Sequence, residues 1–348
     1  MSDSSIKNII SCLTRGQYLS AREFALLINY EGNLISYLAR EIADDRHGRR
    51  VFVRGLLEIG NHCRNNCLYC GIRADNGELL RYRLSEEEII ESCRNAHHIG
   101  FRTFVLQGGE WPADDLMIER AIKSIHTEMP DSAVTLSLGE RDHHTYERWA
   151  AAGASRYLLR HETALPSHYE QLHPPQMSLD KRMQCLRNLK NIGYQTGTGM
   201  MIGSPGQTIE SLCADLAFIQ ELQPQMVGIG PFIPHHATPL ASYSVGSADL
   251  TVRLISIIRI MLPHANIPST TALATIHPHG RELGLMAGAN VLMPNISPSA
   301  CRNNYQLYDN KAAWGAESAE GLAELSKIVE AAGFELDFSR GDFKTNKN

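Results

Sequence analysis

Over the first 45 or so residues, apolar side chains recur at helical spacing: Ile6, Ile9, Ile10 and Leu13, then Phe24, Leu27, Ile28, Leu34, Ile35 and Leu38. No strand-like run interrupts them, so the spacing predicts a helical lead-in. From residue 51 the pattern changes to short β-rich segments, each followed by a stretch long enough for a helix. There are eight: VFVRGLLEI, RTFVLQ, AVTLSL, RYLLRH, YQTGTGM, MVGIGPF, IPSTTAL and NVLMPN, starting at 51, 102, 133, 156, 194, 226, 267 and 290. The intervals between starts leave room for a strand, a crossover helix and loops, as parallel pairing demands.

The helical stretches carry stop and start signals. Ser85-Glu86-Glu87-Glu88 has the form of a capping box, and Gly100, Gly153 and Gly193 stand where helix C-caps are expected. Eight successive βα units in roughly 240 residues predict an α/β fold of the (βα)8, TIM-type barrel class, with an open doubly wound sheet as the rival. No 20–50-residue repeat and no low-complexity linker is present. The division expected is residues 1–48 as an N-terminal helical extension packed on the barrel, 49–310 as the barrel, and 311–348 as a C-terminal helical tail.

Composition narrows the class of function. The 348 residues are 43% hydrophobic and 20% charged, with a net charge of −5, which suits a globular protein. There is no basic stripe interleaved with aromatics, so nucleic acid is not an expected partner. No apolar run reaches the roughly 18–20 residues of a membrane helix, and the start, MSDSSIKNIISC, lacks a signal peptide's hydrophobic region. A cytoplasmic protein with no membrane partner is the expectation. Of eight cysteines, Cys12, Cys93, Cys185, Cys213 and Cys301 are scattered singly, whereas Cys63, Cys67 and Cys70 fall within eight residues. Clustered cysteines in a reducing compartment bind metal or do chemistry more often than they form disulfides.

In such barrels the chemistry sits at the C-terminal ends of the strands. Reading those positions gathers the three cysteines, Gln107-Gly-Gly-Glu110, Ser137-Leu-Gly-Glu140, Arg160-His-Glu162, Gly199 to Gly203, Pro231 to His235, Thr270-Thr271 and Pro294-Asn295. The loop Cys63-Arg-Asn-Asn-Cys67-Leu-Tyr-Cys70 supplies three thiolates with no nearby fourth. Three thiolates on a four-iron cubane leave one iron open to a small molecule, whereas an electron-transfer cluster takes four. Gly60 and Gly71 flank the loop and permit a tight path. A structural zinc site with His62 as fourth ligand is the alternative, although finger and ribbon sites use two separated ligand pairs.

C-x3-C-x2-C with Tyr69 before the last cysteine resembles the signature of the radical S-adenosylmethionine (SAM) superfamily. Gly108-Gly109-Glu110 resembles that superfamily's GGE element, whose backbone meets the methionine amino group. Gly199-Met-Met-Ile-Gly203 resembles its G-x-I-x-G element, which packs the adenine, with Met201 in place of isoleucine. The resemblance implies a single site-differentiated [4Fe-4S] cluster on Cys63, Cys67 and Cys70, with SAM chelated at the open iron. It also implies reductive cleavage of SAM to a 5′-deoxyadenosyl radical, which a closed barrel shields from solvent.

Longer stretches are similar to one branch, the HydE family of [FeFe]-hydrogenase maturases: CRNNCLYCGIRADN, RYRLSEEEI, VTLSLGE, SRYLLRHETA, GSPGQT, MVGIGPFIPHHATPLA and ANVLMPNISPSACRNNYQLY. The likeness covers roughly residues 15–310. It implies that Ser137, Glu162 and Arg182 contact SAM, the arginine through the methionine carboxylate. Arg160, at the barrel mouth, suits a carboxylate or an anionic metal complex through paired hydrogen bonds, and an ion pair with Glu162 is its structural alternative. Thr270, Thr271 and Tyr305 are candidates for orienting substrate, with Arg54 and Gln107 lining the cavity. Met200, Met201, Met226 and Met293 are expected to pack the interior.

For that family the resemblance implies a cysteine-bound Fe(CO)2(CN) substrate, attack of the adenosyl radical on its sulfur, and a precursor of the di-iron subcluster of the hydrogenase H-cluster as product. The implied functional partners are the other hydrogenase maturases and a reduced electron donor. Some family members carry three further cysteines near the C-terminus for an accessory cluster. The corresponding stretch here, YQLYDNKAAWGAESAEGLAEL, has none, so one cluster is expected. The enzyme rivals are methylornithine synthase-like and biotin synthase-like radical SAM reactions on an amino acid or other small molecule. Biotin synthase needs ligands for a sacrificial second cluster, and no such set is evident. A non-catalytic iron-sulfur carrier is the rival from a different class.

Overall fold

The apolar positions of the lead-in become the buried faces of three helices, α1 (Asp3–Thr14), α2 (Ala21–Ile28) and α3 (Leu34–His47). The computed structural model describes residues 3–343. Ser20 starts α2 with a full capping box to Glu23, satisfying two of the helix's otherwise unpaired N–H groups.

Then come β1 (Arg50–Val53), β2 (Gly55–Gly60), α4 (Glu86–His98), β3 (Thr103–Gly108), α5 (Asp115–Glu128), β4 (Ala133–Ser137), α6 (His143–Ala152), β5 (Ala154–Leu158), α7 (Pro166–Leu172), α8 (Leu179–Ile192), β6 (Gln195–Thr198), β7 (Met201–Ile202) and α9 (Ile209–Leu222). They are followed by β8 (Met226–Val227), β9 (Gly230–Pro231), α10 (Ala248–Met261), α11 (Thr271–Ile276), α12 (Gly280–Met286), β10 (Val291–Leu292), α13 (Ser299–Arg302), α14 (Leu322–Ala331) and β11 (Glu335–Asp337). The lead-in packs on the barrel's outer helices, α3 along α10 and α2 along α9. The capping box read at Ser85 is present, with Glu88 closing it, and Gly153 and Gly193 are the C-caps of α6 and α8.

All strand pairings are parallel, in the order β2-β3-β4-β5-β6-β8. The circle closes through single bridges, Met226 to Asn266, Pro268 to Val291 and Leu56 to Asn295, and through the pairing of β10 with β1. This is the expected TIM-type barrel. The seventh position, around Ile267, makes bridges rather than a ladder because Pro268 has no N–H to donate. The first strand breaks at Arg54 because its two halves pair differently, β1 with β10 and β2 with β3.

The tail holds α14 and also a strand, β11, that adds to β1 outside the barrel. Beyond it the chain closes the barrel's N-terminal end. Arg156, fully buried, donates to the Arg340 carbonyl and to Asp342 Oδ1, each at 2.7 Å, and Thr103 Oγ1 donates to the same carbonyl at 2.9 Å. One apolar core joins the lead-in helices to α9, α10 and the later strands, and a second fills the space between β2–β5 and α4–α8. Among the described residues, no helix is long and apolar enough to cross a membrane.

Candidate active site

The loop after β2 carries the three cysteines and has no regular structure of its own. Its backbone is held by a guanidinium instead. Arg81 donates to the carbonyls of Asn61 (2.6 Å), Ile72 (2.9 Å), Arg73 (2.5 Å) and Asn76 (3.1 Å). Asn61 adds bonds to the Leu80 and Asn304 carbonyls and accepts from the Tyr82 N–H. The loop is also laced to its surroundings: Arg64 N donates to the Glu110 carbonyl, Leu68 N to that of Leu172, and Gly71 N to that of Leu307. Gly109 is part of the same fit, since a Cβ there would stand 2.1 Å from the His62 carbonyl oxygen and 2.8 Å from Cys63 Cβ.

The three thiols are partly buried and free of disulfides. Burial pushes all three upward in pKa, and the neighbouring Cys63 helps to push Cys67 up to about 12. As bare thiols they would be neutral; the Cys67 sulfur lies 3.7 Å from that of Met177, and backbone groups at Asn65, Glu110 and Ile72 meet Cys63 and Cys70. A cationic metal cluster reverses that balance by taking thiolates directly. The spacing also favours a cluster over one ion. Among the described residues, the only ligand-type groups gathered within 4.8 Å of one another are those of His235, His236 and Asp309, and the three thiols lie wider apart than that. The donor set therefore fits a multi-iron cluster.

Cys63 and Cys70 open onto a cavity of about 330 Å³ at the C-terminal mouth of the barrel. Its wall includes Tyr69, Gln107, Gly108, Gly109, Glu110, Ser137, Arg160, Glu162, Arg182, Met201, Thr270, Thr271 and Tyr305. Glu110 is ion-paired with Arg64 (2.6 Å) and accepts from the Glu140 N–H (2.7 Å). Although burial pushes its carboxyl upward, that N–H, Arg182 and Arg64 together hold it below the usual carboxylate range. Arg182 reaches in from α8, its Nε 2.9 Å from Glu140 Oε1. Glu162 sits at φ 66°, in the left-handed region that a residue with a Cβ seldom adopts. Arg160 Nη2 stands 3.1 Å from Glu162 Oε2. Neither atom is in an aligned hydrogen bond, and Arg160 Nε also has no partner. That is polar capacity facing the cavity and not yet committed.

The expected residues do not all converge. Arg54 belongs to the opposite end of the barrel, where it meets Met226 Sδ at 3.3 Å and the Gly341 carbonyl at 3.4 Å. It lies at the break between β1 and β2, too early in the strand to reach the mouth. Gly199 is not in the cavity wall. It passes so close to Gly228 that a Cβ would stand 1.9 Å from the Gly228 carbonyl oxygen. Thr270 and Thr271 line the cavity with hydroxyls already engaged, Thr270 capping α11 and Thr271 donating to Glu317 at 2.8 Å. His161 is a packed residue, fully buried between Thr198 and Asp215.

Three wall or support residues escaped the sequence reading: Tyr308, Lys311 and Glu58. An acid inside the apolar run of β2 was a legible signal that Glu58 needs a buried partner. His235, His236 and Asp309 look like a metal triad by type. Yet His235 Nδ1 accepts the Ala237 N–H at 3.1 Å, so in the neutral ring Nε2 carries the hydrogen and serves as a donor rather than a ligand.

Comparisons with known proteins come from three sides. Residues 57–219 match the radical SAM superfamily. The chain is 46% identical over 326 residues to the [FeFe] hydrogenase maturase subunit HydE of Thermotoga maritima, covering 90% of this chain and 92% of that one. It is 31% identical over 274 residues to 3-methylornithine synthase of Methanosarcina barkeri, covering 78% and 77%. The crystal structure of a methylornithine synthase superimposes with a TM-score of 0.80 at 25% identity, over 94% of this chain and 97% of that one.

Proposed function

The chain belongs to the radical SAM superfamily and to its HydE family of hydrogenase maturases, and from that membership we propose an enzyme of [FeFe]-hydrogenase cofactor assembly acting on a small organometallic molecule. Cys63, Cys67 and Cys70 would hold a single [4Fe-4S] cluster, three thiolates leaving its fourth iron for SAM. When bound, the cluster supplies the electron that cleaves SAM to methionine and a 5′-deoxyadenosyl radical.

The chain's own residues set the geometry. The backbone at Gly108, Gly109 and Glu110 receives the methionine amino group, and Arg182, fixed through Nε by Glu140, receives the carboxylate. Ser137 and Glu162 accept polar hydrogens of SAM, with Tyr69 and Met201 packing beside it. Arg160 orients the substrate, a cysteine-bound Fe(CO)2(CN) complex, through guanidinium N–H groups that its ion pair with Glu162 leaves without an aligned hydrogen bond. The apolar walls and the barrel end closed by Arg340–Asp342 keep water from the reacting sulfur. The other maturases would supply the substrate and take up the product, with a reduced carrier as electron source.

The observation that carries the reading is the opening of Cys63 and Cys70, from a loop of three disulfide-free cysteines, onto a cavity whose wall also presents the Arg160–Glu162 ion pair. The test is anaerobic iron-sulfur reconstitution followed by measurement of 5′-deoxyadenosine from SAM and dithionite, with and without cysteine-bound iron carbonyl cyanide. Stimulation by the complex is the expected result. Cleavage without stimulation moves the substrate to an amino acid, the reading favoured by the similarity to 3-methylornithine synthase. No cluster and no cleavage in folded protein sinks the proposal.

A further inference from the structure

Between α13 and α14 the chain runs as a strap across the barrel mouth. Residue 304 is tied to the start of the cysteine loop, its carbonyl accepting from Asn61 Nδ2 at 2.6 Å, and the Leu307 carbonyl accepts from Gly71 N at 2.9 Å. On the far side Asp309 N donates to the Pro234 carbonyl at 3.1 Å, and its carboxylate accepts from His236 N at 2.9 Å. Gly71 has to be glycine for the strap to seat, because a Cβ would stand 2.1 Å from the Gln306 carbonyl oxygen.

The strap turns at Asn310, φ 57°, and delivers Lys311 into the cavity wall. The ammonium of Lys311 forms an ion pair with Oε1 of Glu58, a fully buried acid of β2 whose Oε2 accepts from Asn295 Nδ2 at 2.8 Å. The same ammonium lies 5.3 Å from the centroid of the Tyr305 ring. Glu58 does not line the cavity and Lys311 does, so the pair is a dipole with its positive end toward the cavity. Lys311 and Arg160 face one compartment. Tyr308 lines the same cavity, and burial raises the pKa of its hydroxyl.

A charge needed only to neutralise Glu58 would be more cheaply omitted together with it, since replacing a buried pair by neutral groups is often neutral or stabilising. An ammonium has three N–H donors, and one carboxylate oxygen and one ring face leave one of them for a ligand. We propose that Lys311 is the second cation of the substrate cavity, a donor to an anionic group of the substrate, and that Glu58 holds it in position. The proposal deepens the function assigned above and rests on that reading for the identity of the anion.

Lys311→Met alone leaves Glu58 buried without a counter-ion and risks unfolding the protein. The informative variant is therefore the neutral pair Glu58→Gln/Lys311→Met, which keeps an acceptor for Asn295. Its melting temperature and iron content should match the parent protein. Binding of cysteine-bound iron carbonyl cyanide to the SAM-loaded protein, measured by calorimetry, should weaken on the order of tenfold to a hundredfold, with SAM affinity retained. Unchanged binding of the complex means that Lys311 serves Glu58 alone and overturns the proposal, as does an equal loss of SAM and complex. Free L-cysteine is the second probe. If the parent protein ignores the iron complex but binds L-cysteine, the substrate assignment fails while the same comparison still tests Lys311. A parent cavity that takes neither probe overturns both.

Discussion

His161 Nε2 lies 3.4 Å from Asp215 Oδ1, and neither side chain reaches solvent. The same carboxylate oxygen accepts the Ala164 N–H, while His161 Nδ1 is 2.8 Å from Thr198 Oγ1. The segment His161–Ala164 is thus pinned at both ends, with Glu162 between the pins at its positive φ. Asp215 and His161 position Glu162 without touching the cavity. Asp215→Ala should destabilise the fold by about 2–4 kcal/mol, because it strands a buried N–H and a buried imidazole. It should also weaken SAM binding more than Asp215→Asn, which keeps an acceptor. Urea denaturation and SAM titration of the two variants check this, and equal SAM affinities for both would remove the positioning role.

Gly109→Ala tests the packing of the GGE element against the cysteine loop. The added methyl meets a carbonyl and a Cβ of the loop, neither of which can yield without moving Cys63. The expected outcome is a barrel with parent-like circular dichroism that reconstitutes with markedly less iron. Full iron loading would mean that the loop has slack the contacts do not suggest.

Cys67→Ala should abolish both the cluster and SAM cleavage while leaving the barrel folded, because Arg81 and Asn61 organise the loop without using any thiol. In the parent protein, iron analysis should approach about four irons per chain, the content of one cubane. About eight would contradict the single-cluster reading, and retained SAM cleavage by the variant would remove Cys67 from the site.

Much of this was open to sequence reasoning, and the exceptions share a cause. The eight β-rich segments coincide with the barrel positions because buried parallel strands need apolar runs, and Cys63, Cys67 and Cys70 announced themselves by chemistry and spacing. Periodicity could not show that the first strand breaks at Arg54, since that break comes from its halves taking different partners. Arg54 was accordingly assigned to the wrong end of the barrel. Nor could it show that Lys311, in a segment without regular structure, crosses the mouth to meet Glu58 253 residues earlier in the chain. The Glu335–Asp337 strand was hidden for the same reason: three residues carry too little pattern, and only the exposed edge of β1 makes them a strand.

Acid should destabilise the fold through His47. This residue ends α3, where a helix C-terminus ordinarily favours a charged imidazole. Burial, with the Arg259 guanidinium beside it, instead drives its pKa down to about 3, and Arg259 Nη1 stands 3.1 Å from Nε2. The unfolded chain binds the proton near pH 6.5 while the folded chain refuses it. The contribution of His47 is therefore complete above about pH 6.5 and falls as pH drops toward 3, by about 1.4 kcal/mol per pH unit. His173, lowered to about 3 by burial and Arg182, acts in the same direction. His47→Gln keeps an acceptor for Arg259 and removes one titrating group. Urea denaturation of the parent and the variant at pH 7.5, 6 and 5 should show the parent losing stability more steeply, while groups common to both cancel in the difference. Parallel losses would mean that the His47 ring takes up its proton without unfolding.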